Sequence, residues 1–303
     1  MGSERGIYST RRLSLLRFAG VSYNCQHRRT LKFCRESGKF YDMLLTVDVG
    51  NSMVNLGVFD GERLVANLRV STDARRSSDE YGLTLRDLLA LNGVDAERIT
   101  DVCMCSVVPP LTGVFEELVR TYFKVNPLTV TAGVKTGLKI NYDNPRDVGA
   151  DRIVDAVAAI ELYGQPTIIV DFGTATVFDA ISRDGVYLGG AISPGMNVAA
   201  EALFLNTSQL RRVELVAPES AIGQNTTQAL QSGLVLGYAG LVTGLVGRFK
   251  KELGEGAKVI GTGGLAGTIS KVVDIFDAIN PDLTLIGLRL IYGKNKPPPQ
   301  GLD

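Results

Sequence analysis

Two segments of this chain end an apolar run in an aspartate and follow it with glycine and small polar residues. The first is Asp48-Val49-Gly50-Asn51-Ser52, continuing through Met53, Val54 and Asn55. The second is Asp171-Phe172-Gly173-Thr174-Ala175-Thr176. Glycine permits a tight turn whose backbone N–H groups point at a phosphate, and an aspartate at the strand end can hold a hydrated Mg²⁺ beside it. Either segment alone is an ordinary Asp-x-Gly turn; two in matched contexts point to a pair of phosphate-gripping hairpins. A third segment, Gly149-Ala150-Asp151-Arg152, heads a helical run at Ile153–Ile160. Asp151 there either caps the helix or accepts the proton of an alcohol. Arg152 suits a bidentate pair with a substrate carboxylate, or else supports the helix through an acid such as Asp155. A fourth, Val259-Ile260-Gly261-Thr262-Gly263-Gly264-Leu265-Ala266, runs an apolar strand into a glycine-rich turn.

Composition narrows the chemistry. The single histidine is His27, ahead of all four segments, so imidazole catalysis and histidine metal sites are excluded beyond it, and an aspartate is the expected base. No G-x-x-x-x-G-K-[ST] phosphate loop occurs, and the third glycine of a dinucleotide fingerprint is missing. Nine basic and three acidic residues fall in 1–42, leaving 23 and 29 in 43–303, a net of −6 there. A mildly acidic body argues against nucleic-acid binding. Four cysteines make no disulfide framework in a chain of 303 residues, which favours a reducing cytoplasm. Cys103 and Cys105 share one face of an apolar strand, Val102–Val108, and read as core.

The elements that must carry these segments repeat. Leu44–Val49, Val54–Phe59 and Leu64–Val70 are apolar runs, the last two joined by Asp60-Gly61, a hairpin signal. The second aspartate segment is followed by Val177-Phe178-Asp179 and another Asp-Gly turn, Asp184-Gly185, leading into Val186–Leu188. The two leading aspartates lie 123 residues apart, so the repeat unit is domain-sized. Two α/β halves with a cleft between them follow: 43–160 and 161–293. Residues 1–42 are expected to be a disordered basic leader or upstream sequence before a true start at Met43, and 294–303 a proline-rich tail. Pro109-Pro110 closes the strand before it, and a helical pattern covers Val114–Phe123. Residues 221–247 carry no charge, but polar residues open the stretch and glycines recur at 233, 237, 240, 244 and 247. A buried helix or subunit contact is expected there, and no membrane span.

Paired phosphate hairpins across a cleft resemble the ATP site of the actin–hexokinase–Hsp70 superfamily, whose adenosine motif the fourth segment resembles. Taken together, DVGNSMVNLGVFDG, GADR, DFGTATVFD, GGAISPG (Gly189–Gly195) and GTGGL resemble type III pantothenate kinase, in order from Met43 to about Gly293. Val177 departs from the threonine common there. The resemblance implies two actin/ribonuclease-H-like halves enclosing ATP, whose phosphates meet Asp48–Asn55 and Thr174. It implies Asp151 as catalytic base, and pantothenate held by Tyr142, Gly149, Ala150, Asp151, Arg152 and Thr226. It further implies a monovalent cation, K⁺ or NH₄⁺, at Asp171 besides Mg²⁺, a homodimer, and 4′-phosphopantothenate as product on the way to coenzyme A. Two rivals stand beside it. One is a sugar or polyol kinase of the same superfamily, disfavoured because a sugar offers Arg152 no carboxylate. The other is a non-catalytic ATP-binding regulator, the family having also been described as an accessory transcription factor; an intact Asp151 argues against it.

Overall fold

The computed structural model describes residues 43–296. The expectations for the leader, with His27, Cys25 and Cys34, and for residues 297–303 lie outside them. Strands β1 (Met43–Val49), β2 (Met53–Asp60), β3 (Arg63–Ser71), β4 (Ile99–Ser106) and β5 (Leu128–Thr129) form one sheet in the order β3-β2-β1-β4-β5. Strands β6 (Lys139–Ile140), β7 (Thr167–Phe172), β8 (Ala175–Ile181), β9 (Val186–Pro194), β10 (Lys258–Thr262) and β11 (Ala278–Ile279) form the other, ordered β11-β10-β7-β8-β9-β6. Read from β9 to β11, the second sheet repeats the first strand for strand. In each, three strands meander antiparallel and the next two are added in parallel. The internal repeat is therefore a repeat of topology, and the fold is α/β with two ribonuclease-H-like sheets.

Helices α1 (Ser78–Leu91), α2 (Pro109–Leu118), α3 (Ala150–Tyr163), α4 (Met196–Asn206), α5 (Thr226–Gln231), α6 (Gly237–Leu253), α7 (Ala266–Ile269) and α8 (Leu283–Asn295) cover the sheets. Alternation along the strands sets which face meets which helix. Leu45, Val47 and Val49 of β1 face a core with Tyr81 and Leu85 of α1 and Phe115 of α2. Leu44, on the opposite face, packs with Val154 and Val157 of α3 and Leu288 and Ile291 of α8. On the second sheet, Ile168 and Val170 face Val242 and Val246 of α6. Ile169 faces Ala156 and Ala159 of α3 and Leu283 of α8. Helices α3 and α8 thus form a layer buried between the two sheets. They cross closely, since a Cβ at Gly287 would lie 2.3 Å from the Val154 carbonyl oxygen. The α8 helix belongs late in the chain yet packs on β1, and β6 precedes α3 yet joins the second sheet.

Local details correct the sequence reading. Pro109 and Pro110 open α2, because a first turn needs no N–H from its leading residues. That helix ends at Leu118, and Val119–Phe123 is a wider π turn. The first hairpin turns at Gly61-Glu62, with Asp60 paired to Arg63 and Gly61 in the left-handed region at φ 61°. Helix α8 extends through Asn295, so residues 294 and 295 are helical and not tail.

Residues Thr226–Leu253 form a continuous helical stretch through a π turn at Ser232–Leu236, long and apolar enough to cross a membrane by length and composition alone. One side, carrying Leu234, Val235, Val242 and Val246, is buried in the second core. The five glycines lie on the other side, exposed, each with nothing within 4 Å of where a Cβ would be. Within this chain the glycine face does not contact another backbone, contrary to the buried-helix expectation.

Candidate active site

Strand alternation turns Asp48 and Asp171 towards the inter-sheet layer, because the residues before and after each face the outer cores. Both aspartates stand at the carboxyl ends of their strands, as Asp48 does beside its cross-strand neighbours Asn55 and Cys105. Asn55 Nδ2 donates to Asp48 Oδ2 at 2.9 Å and Cys105 Sγ donates to Oδ1 at 3.5 Å. Burial pushes the Asp48 carboxyl up to about 6, with the Asn55 hydrogen bond opposing it. Burial likewise raises Asp171, and the charges of Asp151, Asp48 and Asp179 add to the effect.

The turns that follow these aspartates meet. Ser52 Oγ and Thr174 Oγ1 are 2.6 Å apart, joining hairpins 122 residues apart in sequence. Each turn is tight: Gly50 N donates to the Met53 carbonyl at 3.1 Å and Gly173 N to the Ala175 carbonyl at 3.1 Å. Asn51, Ser52, Met53 and Thr174 are exposed, while the side chains of Val49 and Val54 are buried in the core and offer a ligand only backbone. The glycine-rich turn after β10 presses on the second hairpin. Gly263 has φ 85°, and a Cβ there would sit 2.3 Å from Asp171 Oδ1.

Helix α3 brings the third segment to the same place. Its N-cap is Gly149, without a side-chain cap, so Asp151 is not the capping residue. Asp151 lies in the first turn, where its Oδ1 accepts the Arg152 backbone N–H at 2.8 Å. Burial raises its pKa against the nearby Arg152 charge. One turn further on, Asp155 is buried, with Oδ1 lacking any hydrogen-bond partner. Its pKa is raised well above the usual range by burial first and by Asp171 second, against a hydrogen bond from Thr284 of α8. Four carboxyls thus converge from β1, α3 and β7.

Arg152 does not pair with Asp155. Its Nη2 and Nε lie 2.7 and 2.9 Å from Asp179 Oδ1 on β8, which also accepts the Tyr187 hydroxyl at 2.7 Å. The guanidinium carbon stands 5.7 Å from the Tyr187 ring centroid. Burial disfavours the Arg152 charge, but Asp179 outweighs it and raises the pKa. Tyr142, partly exposed, has its ring 6.4 Å from Tyr187 and lies over Gly189, whose φ is 112°. Thr226 is elsewhere in this chain. It lines a cavity of about 340 Å³ with Gln209, Arg211, Val213, Asn225, Thr227 and Leu230, and neither Tyr142 nor Asp151 reaches it.

Sequence reasoning missed Asp155, Asp179, Tyr187 and Cys105 as members of this cluster. Asp179 had a signal, since Val177-Phe178-Asp179 repeats Val58-Phe59-Asp60. The likeness misleads, because Asp60 ends β2 at a turn whereas Asp179 lies inside β8 between Ile169 and Gly190.

Duplicated ribonuclease-H-like sheets with opposed hairpins and acids at their strand ends define the actin–hexokinase–Hsp70 class of phosphotransferase folds. Solved structures agree at the level of fold. A Campylobacter jejuni protein assigned to the Baf family of transcriptional activators superposes with a TM-score of 0.54 at 19% identity, over 83% of this chain and 98% of that one. A Sinorhizobium meliloti protein assigned as a 2-dehydro-3-deoxygalactonokinase gives 0.52 at 12% identity, over 86% and 99%. Sequence goes further: the family model for type III pantothenate kinase matches residues 44–248. A type III pantothenate kinase of Dehalococcoides mccartyi is 52% identical over 255 residues, 84% of this chain and 97% of that protein. The chain belongs to the type III pantothenate kinase family.

Proposed function

We propose that this protein transfers the γ-phosphoryl group of ATP to the primary hydroxyl of pantothenate, giving 4′-phosphopantothenate and ADP, the first step of coenzyme A synthesis. The observation that carries the reading is the meeting of the two hairpins beside Asp48, Asp171 and Asp151 in a chain of this family. The backbone of Asp48–Asn55 and the Thr174 hydroxyl hold the phosphates. Asp151 accepts the hydroxyl proton as that oxygen bonds to the γ-phosphorus and the bond to the β-phosphate oxygen breaks. Tyr142 and the Gly149–Arg152 segment hold pantothenate.

The donor set fits Mg²⁺ and a monovalent cation. Asp48 is fixed by Asn55 and Cys105, and Asp171 lies in a cradle that a Cβ at Gly263 would fill. Among the described residues no group of three or more acidic, cysteine or histidine side chains is close enough to hold a metal, which suits ions that keep waters and phosphate oxygens as ligands. Asp48 would hold Mg²⁺ and Asp171 K⁺ or NH₄⁺. Bound there, they neutralise charge on the phosphates among acids that otherwise repel them. The halves 43–160 and 161–293 close on the nucleotide. The exposed glycine face of α6 supports a homodimer in which Thr226 reaches the partner's substrate. Two free, buried cysteines suit a reducing cytoplasm.

The test is ATP consumption by the purified protein with pantothenate, with glucose and with neither, in K⁺ and in Na⁺ buffers. Turnover dependent on pantothenate and K⁺ is expected. Equal turnover with glucose, or none with pantothenate, refutes the reading; full activity in Na⁺ alone removes the monovalent cation.

A further inference from the structure

The first phosphate hairpin is held from outside itself. Within its turn, Gly50 N donates to the Met53 carbonyl at 3.1 Å. Two more carbonyls of the turn are taken by Thr72, the residue just after β3. Its backbone N–H donates to the Ser52 carbonyl at 3.0 Å, and its hydroxyl donates to the Gly50 carbonyl at 2.7 Å. Thr72 is itself pinned on both sides. Ser71 before it pairs with Met53 in the sheet, and Asp73 after it exchanges two hydrogen bonds with the hydroxyl of the buried Tyr81 of α1. The second hairpin has only half of this device. Gly195, the residue just after β9, donates its N–H to the Thr174 carbonyl at 3.0 Å, as Thr72 does to Ser52. It has no side chain to add, and a Cβ there would lie 2.2 Å from that carbonyl oxygen. Its turn is also the tighter one, closing from Gly173 to Ala175 where the first closes from Gly50 to Met53.

A trans peptide holds its N–H antiparallel to its own carbonyl. Fixing the Gly50 carbonyl on Thr72 therefore turns the Asn51 N–H the opposite way, and fixing the Ser52 carbonyl does the same for the Met53 N–H. Among the described residues neither Asn51 nor Ser52 donates its N–H to another residue. Building on the proposed ATP site, we infer that Thr72 is a positioning residue for the triphosphate: its hydroxyl sets the peptide plane from which the Asn51 N–H is offered to a phosphate oxygen. Gly50 has no Cβ to restrict that plane, so the turn needs an outside partner to hold it. Thr72 acts through the turn and not by contact with the nucleotide.

A residue that only ends a strand and one that works through its hydroxyl respond in opposite order to substitution. Valine keeps the shape and extended preference of threonine but loses the hydroxyl; serine keeps the hydroxyl but loses the branch. The measurements are KM for ATP and for pantothenate, and calorimetric binding of a non-hydrolysable ATP analogue with Mg²⁺, for the wild type, Thr72→Val and Thr72→Ser. Thr72→Val should raise the KM for ATP and weaken the analogue by about 3- to 10-fold, the effect of one lost hydrogen bond, with the KM for pantothenate unchanged. Thr72→Ser should stay near wild type in all three. Should Thr72→Val fail to fold, Thr72→Ala takes its place in the comparison. Normal ATP binding by the variant without the hydroxyl, an equal rise in the KM for pantothenate, or a Thr72→Ser variant as impaired as Thr72→Val overturns the inference while the kinase reading stands. A wild-type protein that binds the analogue but does not turn over pantothenate overturns the kinase reading alone, and the analogue titrations still decide the role of Thr72. A wild-type protein that binds no ATP analogue overturns both.

Discussion

At the scale of single residues, the site is a set of acids held in an environment that resists their charge. Asp48, Asp151, Asp155, Asp171 and Asp179 all have raised pKa values with burial as the leading cause. The consequence for stability has a definite sign. A carboxyl whose pKa is higher folded than unfolded binds more protons in the folded state, so its contribution is fully present below the unfolded value of 3.8 and is lost as pH rises through the folded value, about 6 for Asp48. The free protein should therefore melt at a lower temperature at pH 7.5 than at pH 5, and Asp155→Asn should flatten that slope. A melting series across this range checks both; a melting temperature that climbs steadily to pH 7.5 contradicts the picture. Asp151→Asn tests the chemistry itself. The amide keeps the size but cannot take the proton, so kcat should fall by about 10²–10⁴-fold with ATP binding retained. Turnover within a few-fold of wild type would remove Asp151 from the base's role.

At the scale of elements, the critical arrangement is the buried pair of helices between the sheets. Helix α3 carries Asp151 and Asp155, and its position depends on how closely α8 lies against it. Gly287 sets that distance, because the nearest atom to an added Cβ is the backbone carbonyl of Val154 and not a movable side-chain end. Alanine in a helix interior is ordinarily more favourable than glycine by about 1 kcal/mol. Here the overlap wins, and Gly287→Ala should cost about 1–3 kcal/mol as the helices separate. Denaturant unfolding measures the loss. Because α3 shifts with the crossing, kcat should fall along with stability, whereas an equally destabilising change in an outer core, such as Leu85→Ala in α1, should leave kcat near normal.

At the scale of the whole molecule, the surface carries a long helix with one face unused. The glycines at 233, 237, 240, 244 and 247 open a smooth exposed strip on the 226–253 stretch, with exposed Val216 and Ile222 in the preceding segment. In an isolated chain, a Cβ at residue 240 has nothing within 4 Å, and Gly240→Leu should gain about 0.8–1 kcal/mol of helix propensity. In a homodimer packed on this strip, leucine holds the backbones apart. Sedimentation of the wild type and Gly240→Leu decides the matter: a dimer converted to monomer is expected, and a wild-type monomer with a more stable variant would leave the glycine face without a partner.

The sequence by itself determined the longer strands, their order of repetition and the acid and glycine at two strand ends; the two-residue strands β5, β6 and β11 left no pattern to read. Apolar alternation in β1 and β7 already dictates that Asp48 and Asp171 leave the face that their neighbours bury, and glycine after each dictates a turn. Asp151 was legible for the same local reason, at the head of an apolar helical run. What the tertiary structure alone decided is which distant groups these residues meet. Cys105 reaches Asp48 because β4 lies parallel to β1. Asp155 is sealed because α8 returns from the far end of the chain to bring Thr284 beside it. Arg152 pairs with Asp179 because α3 sits on the second sheet, although Asp155, one turn along the same helix, was the nearer acid in sequence. Periodicity reports the face a residue turns to, but not the element that arrives to cover that face. Long-range packing settles the second question, and in this protein it settles which partner each buried charge meets.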